Sequence, residues 1–200
     1  MSRAVGFIGL GIMGYPMAGH LAKNGFEVSV FNRSQEKSLK WLSEYKGTLS
    51  SSLKELAISS EIIVICVGND EDLINIFFSE SGLLDSLQPG TIIIDHTTTS
   101  SEISQEISKK LNSKQVTFLD APVSGGQAGA ELGQLSIMVG GQEEGYEKAK
   151  IILKQYSKFI KHMGPSGSGQ LTKMVNQICI AGLLQALAEG LNFSKKVGLD

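Results

Sequence analysis

Short apolar runs alternate along this chain with segments whose apolar residues recur at helical spacing. The runs fall at 5–10, 27–31, 62–67, 91–95, 116–121, 135–140 and 158–163. The helical patterns lie near 13–24, 35–45, 52–59, 70–78, 101–111 and 143–156. Ile62-Ile63-Val64-Ile65-Cys66-Val67 and Ile92-Ile93-Ile94 are unbroken apolar runs, as expected of parallel strands buried on both faces. Strand and helix in alternation predict an α/β fold with a doubly wound sheet.

The pattern changes at Gly164-Pro165-Ser166-Gly167-Ser168-Gly169, where three glycines and a proline predict a hinge or boundary. Residues 170–197 then read as one long helix. Leu171, Met174, Val175, Ile178, Ile180, Leu183, Leu184, Leu187 and Leu191 make it apolar almost all round. Such a helix is expected to be buried over most of its surface. The chain reaches Asp200 without supplying enough partners, which predicts either a truncated protein or a partner chain over this helix. The expected organisation is therefore a first domain at 1–163, then a hinge and the incomplete start of an all-α domain at 164–200.

The first apolar run ends in Gly9-Leu10-Gly11-Ile12-Met13-Gly14, a G-x-G-x-x-G between strand and helix. Gly9 allows a tight turn, Gly11 lets backbone approach a pyrophosphate, and Gly14 lets helix and strand pack closely. The helix N-terminus then offers unpaired N–H groups to phosphate. In that context the motif predicts a Rossmann-type dinucleotide-binding sheet; a glycine-rich turn in an unrelated α/β protein is the plainer alternative.

Composition narrows the class. A chain of 200 residues suits one domain, or one and part of another, and 42% hydrophobic content is enough for a core. A net charge of −2 without basic blocks argues against nucleic acid and anionic membrane as partners. Cys66 and Cys179 lie in apolar segments and are expected to be buried, unpaired thiols. His20, His96 and His162 lack metal-ligand spacing, so no metal is expected. Glycines interrupt the N-terminal apolar stretch as they would not in a signal peptide, and no run is judged long and apolar enough to span a bilayer. A cytoplasmic location is the expectation.

Four further segments carry chemistry. Asn32-Arg33-Ser34 ends the second strand without a carboxylate to bind ribose hydroxyls, and Arg33 suits a 2′-phosphate; this favours NADP(H), with NAD(H) as the alternative. Ser34 also reads as a helix N-cap, as do Asp70 and Ser100. The backbone of Val67 and Gly68, beyond the third buried strand, is expected to line the cofactor groove. Thr97 and Thr98 stand where hydroxyls can reach the cofactor, whereas His96 has no neighbouring residue to orient it and no chemical role is expected. In Asp120-Ala121-Pro122-Val123-Ser124-Gly125-Gly126, successive N–H groups bare of side chains suit a substrate carboxylate, the alternative being a flexible loop over 122–134. On the long helix Lys173, Asn176 and Gln177 share one face. Lys173 reads either as a proton donor and acceptor or as a structural lysine that snorkels to solvent.

Taken in order, these motifs resemble the β-hydroxyacid dehydrogenase family: Gly9 to Gly14 with Pro16-Met17-Ala18, Asp95 with its threonines, Asp120 to Gly126, and Gly164-x-x-Gly167-x-Gly169-x-x-x-Lys173-x-x-Asn176-Gln177. The resemblance covers essentially the whole chain. It implies hydride transfer between NADP(H) and a small 3-hydroxy (or 2-hydroxy) acid or its semialdehyde. Lys173 would be the catalytic lysine, Asn176 and Gln177 would help hold the substrate, and Ser124, Gly125 and Gly126 would bind its carboxylate. Gly9, Gly11, Ile12, Met13 and Gly14 would cradle the dinucleotide, and Thr97 would lie beside the nicotinamide. It also implies a homo-oligomer in the intact protein and a helical domain, bearing a second lysine near the cofactor, of which this chain holds only the first helix. A non-catalytic dinucleotide-binding module is the rival. An imine reductase is disfavoured by Lys173.

Overall fold

The computed structural model describes residues 4–199. The first half lays down β1 (Ala4–Ile8), α1 (Gly14–Lys23), β2 (Glu27–Phe31), α2 (Gln35–Glu44), β3 (Thr48–Leu49), α3 (Leu53–Ser59), β4 (Ile62–Ile65), α4 (Asp70–Phe78), β5 (Ile92–Asp95) and α5 (Ser101–Asn112). The second half adds β6 (Thr117–Asp120), β7 (Val123–Ser124), α6 (Gly126–Glu131), β8 (Leu135–Gly140), α7 (Glu143–Leu153), β9 (Ser157–Gly164) and α8 (Ser168–Lys196).

Strands β3-β2-β1-β4-β5-β6 form a parallel sheet in the order of a Rossmann-type fold. The sheet then turns mixed: β8 runs antiparallel to β6 and β7, and β9 runs parallel to β8. The strand order reverses between β1 and β4, which opens a crevice beyond their carboxyl ends.

Period-two alternation builds a core on each face of the sheet. Ile62 and Val64 of β4 join Phe7, Met17, Leu21 and Trp41 on one side, under α1, α2 and α7. Ile63 and Ile65 join Leu56, Phe77, Ile107 and Phe118 on the other, under α3, α4 and α5. Trp41 is fully buried, yet its indole N–H reaches the Tyr15 carbonyl at 3.2 Å and its ring stacks on Tyr45 at 5.2 Å. This ties α2 to the first turn of α1.

The structure corrects several expectations. The stretch 122–134 is not simply a loop, since β7 and α6 lie within it; a two-residue strand and a six-residue helix are too short to leave a periodic signal. Asp70 does not cap α4. Asn69 does, accepting from the Asp72 N–H at 2.9 Å, while the Asp70 carboxylate accepts from the N–H and hydroxyl of Ser100. Ser100 caps α5 through the Ile103 N–H at 3.3 Å, as expected. Ser34 occupies the N-cap position of α2, but its side chain makes no capping bond.

The largest departure concerns α8. Of its 29 residues, Gly169, Gln170 and Lys173 are buried, whereas Val175, Ile178, Leu183, Leu184 and Leu187 are exposed. Cys179 is likewise exposed, contrary to its expected burial, because the helix leaves the sheet after its first turns. By length and composition alone α8 is apolar enough to cross a membrane, with a mean hydropathy of 1.3 over 18 residues. That corrects the expectation that no run reaches this threshold, since the lysines of the helix stand towards its two ends.

The capping pattern is testable by urea unfolding. Ser100→Ala is expected to cost about 1 kcal/mol or more through loss of its cap, and Ser34→Ala less than about 0.5 kcal/mol.

Candidate functional site

The glycine loop joins β1 to α1 at the mouth of the crevice. Gly9 has φ of +95°, and a Cβ there would lie 2.2 Å from the Cys66 carbonyl oxygen. A Cβ on Gly14 would lie 1.9 Å from the Gly9 carbonyl oxygen. Both glycines are thus required by the fold itself. Gly11 differs, because a Cβ there would meet nothing within 4 Å. No side chain caps the N-terminus of α1, where the Tyr15 N–H donates to the Gly11 carbonyl at 3.0 Å and Pro16 has no N–H to offer. An open glycine beside an uncapped helix start is a cradle into which a phosphate fits.

The segment after β2 is organised by Asn32. Its Oδ1 accepts from the Leu10 N–H at 2.9 Å and its Nδ2 donates to the Ser34 carbonyl at 3.0 Å. Asn32 therefore shapes the turn beside the glycine loop with its amide already engaged. The Arg33 side chain is 93% exposed and touches the Asp72 carboxylate at 3.3 Å.

On the other side of the crevice lies an open cleft of about 450 Å³. Met13, Val67, Gly68, Thr97, Ser124, Gly125, Gly126, Lys173 and Gln177 line it, together with Cys66, His96, Thr98, Val123 and Ile180. The structure thus brings together in this cleft about half of the residues expected from the sequence. Gly9, Gly11, Ile12, Asn32, Arg33 and Ser34 lie outside this cleft, on the loops that end β1 and β2, as does Gly14 at the start of α1. Asn176 also lies off the cleft wall; its Nδ2 is enclosed and has no partner among the described residues.

Lys173 is 8% exposed, and its Nζ donates to the Val123 carbonyl at 2.8 Å. Desolvation holds its ammonium below the ordinary lysine value. The lysine is held inside the cleft, not extended to solvent. Facing it, Gly125 and Gly126 have φ of +136° and +59°, and a Cβ on Gly126 would meet nothing within 4 Å.

Beneath the cleft sits a layer of buried polar groups that sequence reasoning assigned no role. Asp120, at the end of β6, accepts from the N–H of Gly167 at 2.8 Å and of Gln170 at 3.1 Å. It therefore caps the start of α8. Burial raises its carboxyl above the usual range, against the lowering effect of these N–H donors. Its register neighbour Asp95 accepts from the Thr97 N–H at 3.0 Å, and its Oδ2 has no partner among the described residues. Burial pushes Asp95 up to about 7. The Thr97 hydroxyl accepts from the Val67 N–H at 3.1 Å, joining the ends of β4 and β5.

His96 does have partners: its ring nitrogens lie 2.6 Å from the Ala121 carbonyl and 2.9 Å from the Tyr156 hydroxyl. Burial pushes it down to about 4, so it stays neutral at neutral pH, donating to the carbonyl and accepting from the hydroxyl. Burial likewise pushes the Cys66 thiol up to about 12, which leaves it unreactive as a nucleophile. His20, on α1, lies 3.0 Å from the Ala130 carbonyl and so meets the last turn of α6. None of these contacts has a local sequence signal. Gln170 alone carries one: a polar residue on an otherwise apolar helix, one turn before Lys173, could have marked it.

The crevice, the phosphate cradle and the desolvated lysine define a dinucleotide-dependent oxidoreductase architecture. Residues 4–164 match the sequence profile described as the NAD binding domain of 6-phosphogluconate dehydrogenase. The chain is 48% identical to an oxidoreductase of Shewanella frigidimarina named only as uncharacterized, over 98% of this chain and 67% of that protein. It is 34% identical to the 3-hydroxyisobutyrate dehydrogenase of Pseudomonas aeruginosa, over 98% of this chain and 65% of the other. Among solved structures, Mycobacterium tuberculosis 3-hydroxyisobutyrate dehydrogenase with L-serine superposes with a TM-score of 0.93 at 29% identity, covering 100% of this chain and 67% of that one. The chain belongs to the β-hydroxyacid dehydrogenase family, and it spans about two-thirds of the length of these relatives.

The two kinds of glycine separate by experiment. Gly9→Ala is expected to lower stability by about 2–4 kcal/mol, since it adds a left-handed strain to a backbone clash. Gly11→Ala is expected to leave stability within about 0.5 kcal/mol yet weaken NAD(P)H binding about tenfold or more, as read by urea unfolding and fluorescence titration.

Proposed function

We propose that this chain is the dinucleotide-binding and proton-transfer part of an NADP(H)-dependent dehydrogenase for a small 3-hydroxy (or 2-hydroxy) acid or its semialdehyde. The observation that carries the reading is the placement of Lys173. Its amine is desolvated, held at 2.8 Å by the Val123 carbonyl, and shares one cleft with Thr97 and the Ser124–Gly126 segment.

A bound nicotinamide dinucleotide supplies or accepts the hydride. The rest is work for this chain's own residues. The backbone of Gly125 and Gly126 presents N–H groups to a substrate carboxylate, and the Ser124 hydroxyl adds a third donor. That anchor sets the substrate's carbonyl or carbinol carbon at a fixed distance from the wall formed by Val67 and Thr97. The Lys173 amine delivers a proton to the carbonyl oxygen during reduction, or takes it from the alcohol during oxidation. A lowered pKa suits both directions, because the proton is then less tightly held near neutral pH. Asn176 is one helical turn away, off the cleft wall, and with its enclosed Nδ2 would help hold the lysine and not touch the substrate.

Preference for NADP(H) rests on the turn after β2. Asn32-Arg33-Ser34 itself carries no carboxylate to repel a 2′-phosphate; the Asp72 carboxylate that reaches Arg33 comes from α4. The Asn32 side chain is occupied, and Arg33 is exposed and loosely paired. An exposed ion pair of this kind is weak, so a phosphate can displace the Asp72 carboxylate from Arg33.

Two measurements test the reading. Arg33→Ala is expected to weaken NADPH binding about tenfold or more while leaving NADH binding unchanged, because a charge-assisted hydrogen bond is worth about 1.5–3 kcal/mol. Equal effects on both cofactors would remove Arg33 from the 2′-phosphate site. Lys173→Ala is expected to lower turnover of 3-hydroxyisobutyrate, glyoxylate or succinic semialdehyde by about 10²–10⁴ with cofactor binding intact. Full activity in that variant would rule out the proposed mechanism.

A further inference from the structure

Gln170 is 1% exposed in the first turn of α8, one turn ahead of Lys173. Its Nε2 donates to the Thr97 carbonyl at 2.7 Å and its Oε1 accepts from the Thr99 N–H at 3.2 Å. One amide side chain thus satisfies both polar groups of an irregular segment at the end of β5. The same segment reaches the residues that follow β4, through the Val67 N–H and the Thr97 hydroxyl.

Asp120 holds the start of α8 through main-chain N–H groups close to the helix axis. A cap of this sort fixes where a helix begins, and the close approach of Gly169 to the Asp120 and Met138 carbonyls limits rotation from the sheet side alone. Gln170 supplies a second tether, off the axis, to a different strand end. Residues i and i+3 share a helix face, so the rotation that Gln170 sets also sets the direction in which Lys173 points. A side chain free to swing would leave the Val123 carbonyl.

We propose that Gln170 is a positioning residue: by bonding the Thr97 carbonyl and the Thr99 N–H, it fixes the rotation of α8 and so holds the Lys173 amine at the Val123 carbonyl, in register with the cofactor-facing end of β5. Its kinetic consequence rests on the reading of Lys173 as the proton-transfer group, but its structural consequence does not.

The test uses two variants. Gln170→Leu removes both bonds. Gln170→Met keeps the length of the side chain, lacks both donor and acceptor and buries no charge, and serves if the leucine variant does not fold. Trace acetylation with acetic anhydride, read by mass spectrometry, gives the reactivity of Lys173 relative to the surface residue Lys54 without any cofactor or substrate. The expected result is a rise of about threefold or more in this ratio, as local opening exposes the amine. An unchanged ratio in the folded variants overturns the proposal. In turnover of 3-hydroxyisobutyrate, kcat is expected to fall by about tenfold or more with KM nearly constant, a split that loss of folded protein alone would not shift per folded molecule. If Lys173→Ala is fully active while the acetylation ratio still rises in the Gln170 variants, the proton-transfer reading fails and the positioning role stands. If Lys173→Ala is inactive and the ratio does not move, the positioning role alone fails.

Discussion

The site depends on a carboxylate buried at the end of a strand. Asp120 is fully enclosed, and burying an anion costs far more than a neutral group unless hydrogen bonds replace its water. The N-terminus of α8 supplies that replacement: N–H groups that a helix leaves unpaired, at the positive end of its dipole. The same bonds give α8 its cap. The approach is close enough that a Cβ on Gly169 would lie 2.5 Å from the Asp120 and Met138 carbonyl oxygens, and one on Gly140 2.5 Å from the Asp120 carboxylate. The glycines at the start of the helix are there because strand and helix nearly touch.

Asp95, directly across the ladder, shows what happens without such a helix. Its hydrogen bonds come from Thr97 alone, its Oδ2 has no partner among the described residues, and burial pushes it up to about 7. Two carboxyls on neighbouring strand ends favour one charge over two. The helix start directs that charge to Asp120, where it stabilises the element that carries Lys173. Asp120 fixes the origin of α8, Gln170 fixes its rotation, and Lys173 follows into the cleft. Opposite them, His20 meets the last turn of α6, so the helix of the glycine loop also braces the loop facing the lysine.

The Rossmann-type sheet was legible from the chain because its signals are local. Unbroken runs such as Ile62 to Ile65 are short-range facts, and so is a G-x-G-x-x-G between strand and helix. What escaped depends on contacts distant in sequence. Asn69 and Asp70 are adjacent and equally able to cap α4; Ser100, thirty residues on, engages Asp70 and leaves the cap to Asn69. The mixed edge of the sheet rests on β7, whose two residues carry no periodicity. Composition predicted a buried α8, but burial needs a partner, and within this fold only its first turns have one. Lys173 was visible as a charge on an apolar helix. The same argument, moved back one turn, would have found Gln170, whereas nothing local marks Asp120 as the cap of a helix that begins 48 positions later.

Amide hydrogen exchange at the start of α8 tests this account most directly. If the Asp120 carboxylate grips Gly167 and Gln170, their N–H groups exchange only through global unfolding, as slowly as those of Val64 and Ile93 in the central strands. Exchange about a thousandfold faster, at the rate of an open helix end, would contradict it, for Lys173 would then sit on a helix that the sheet does not hold.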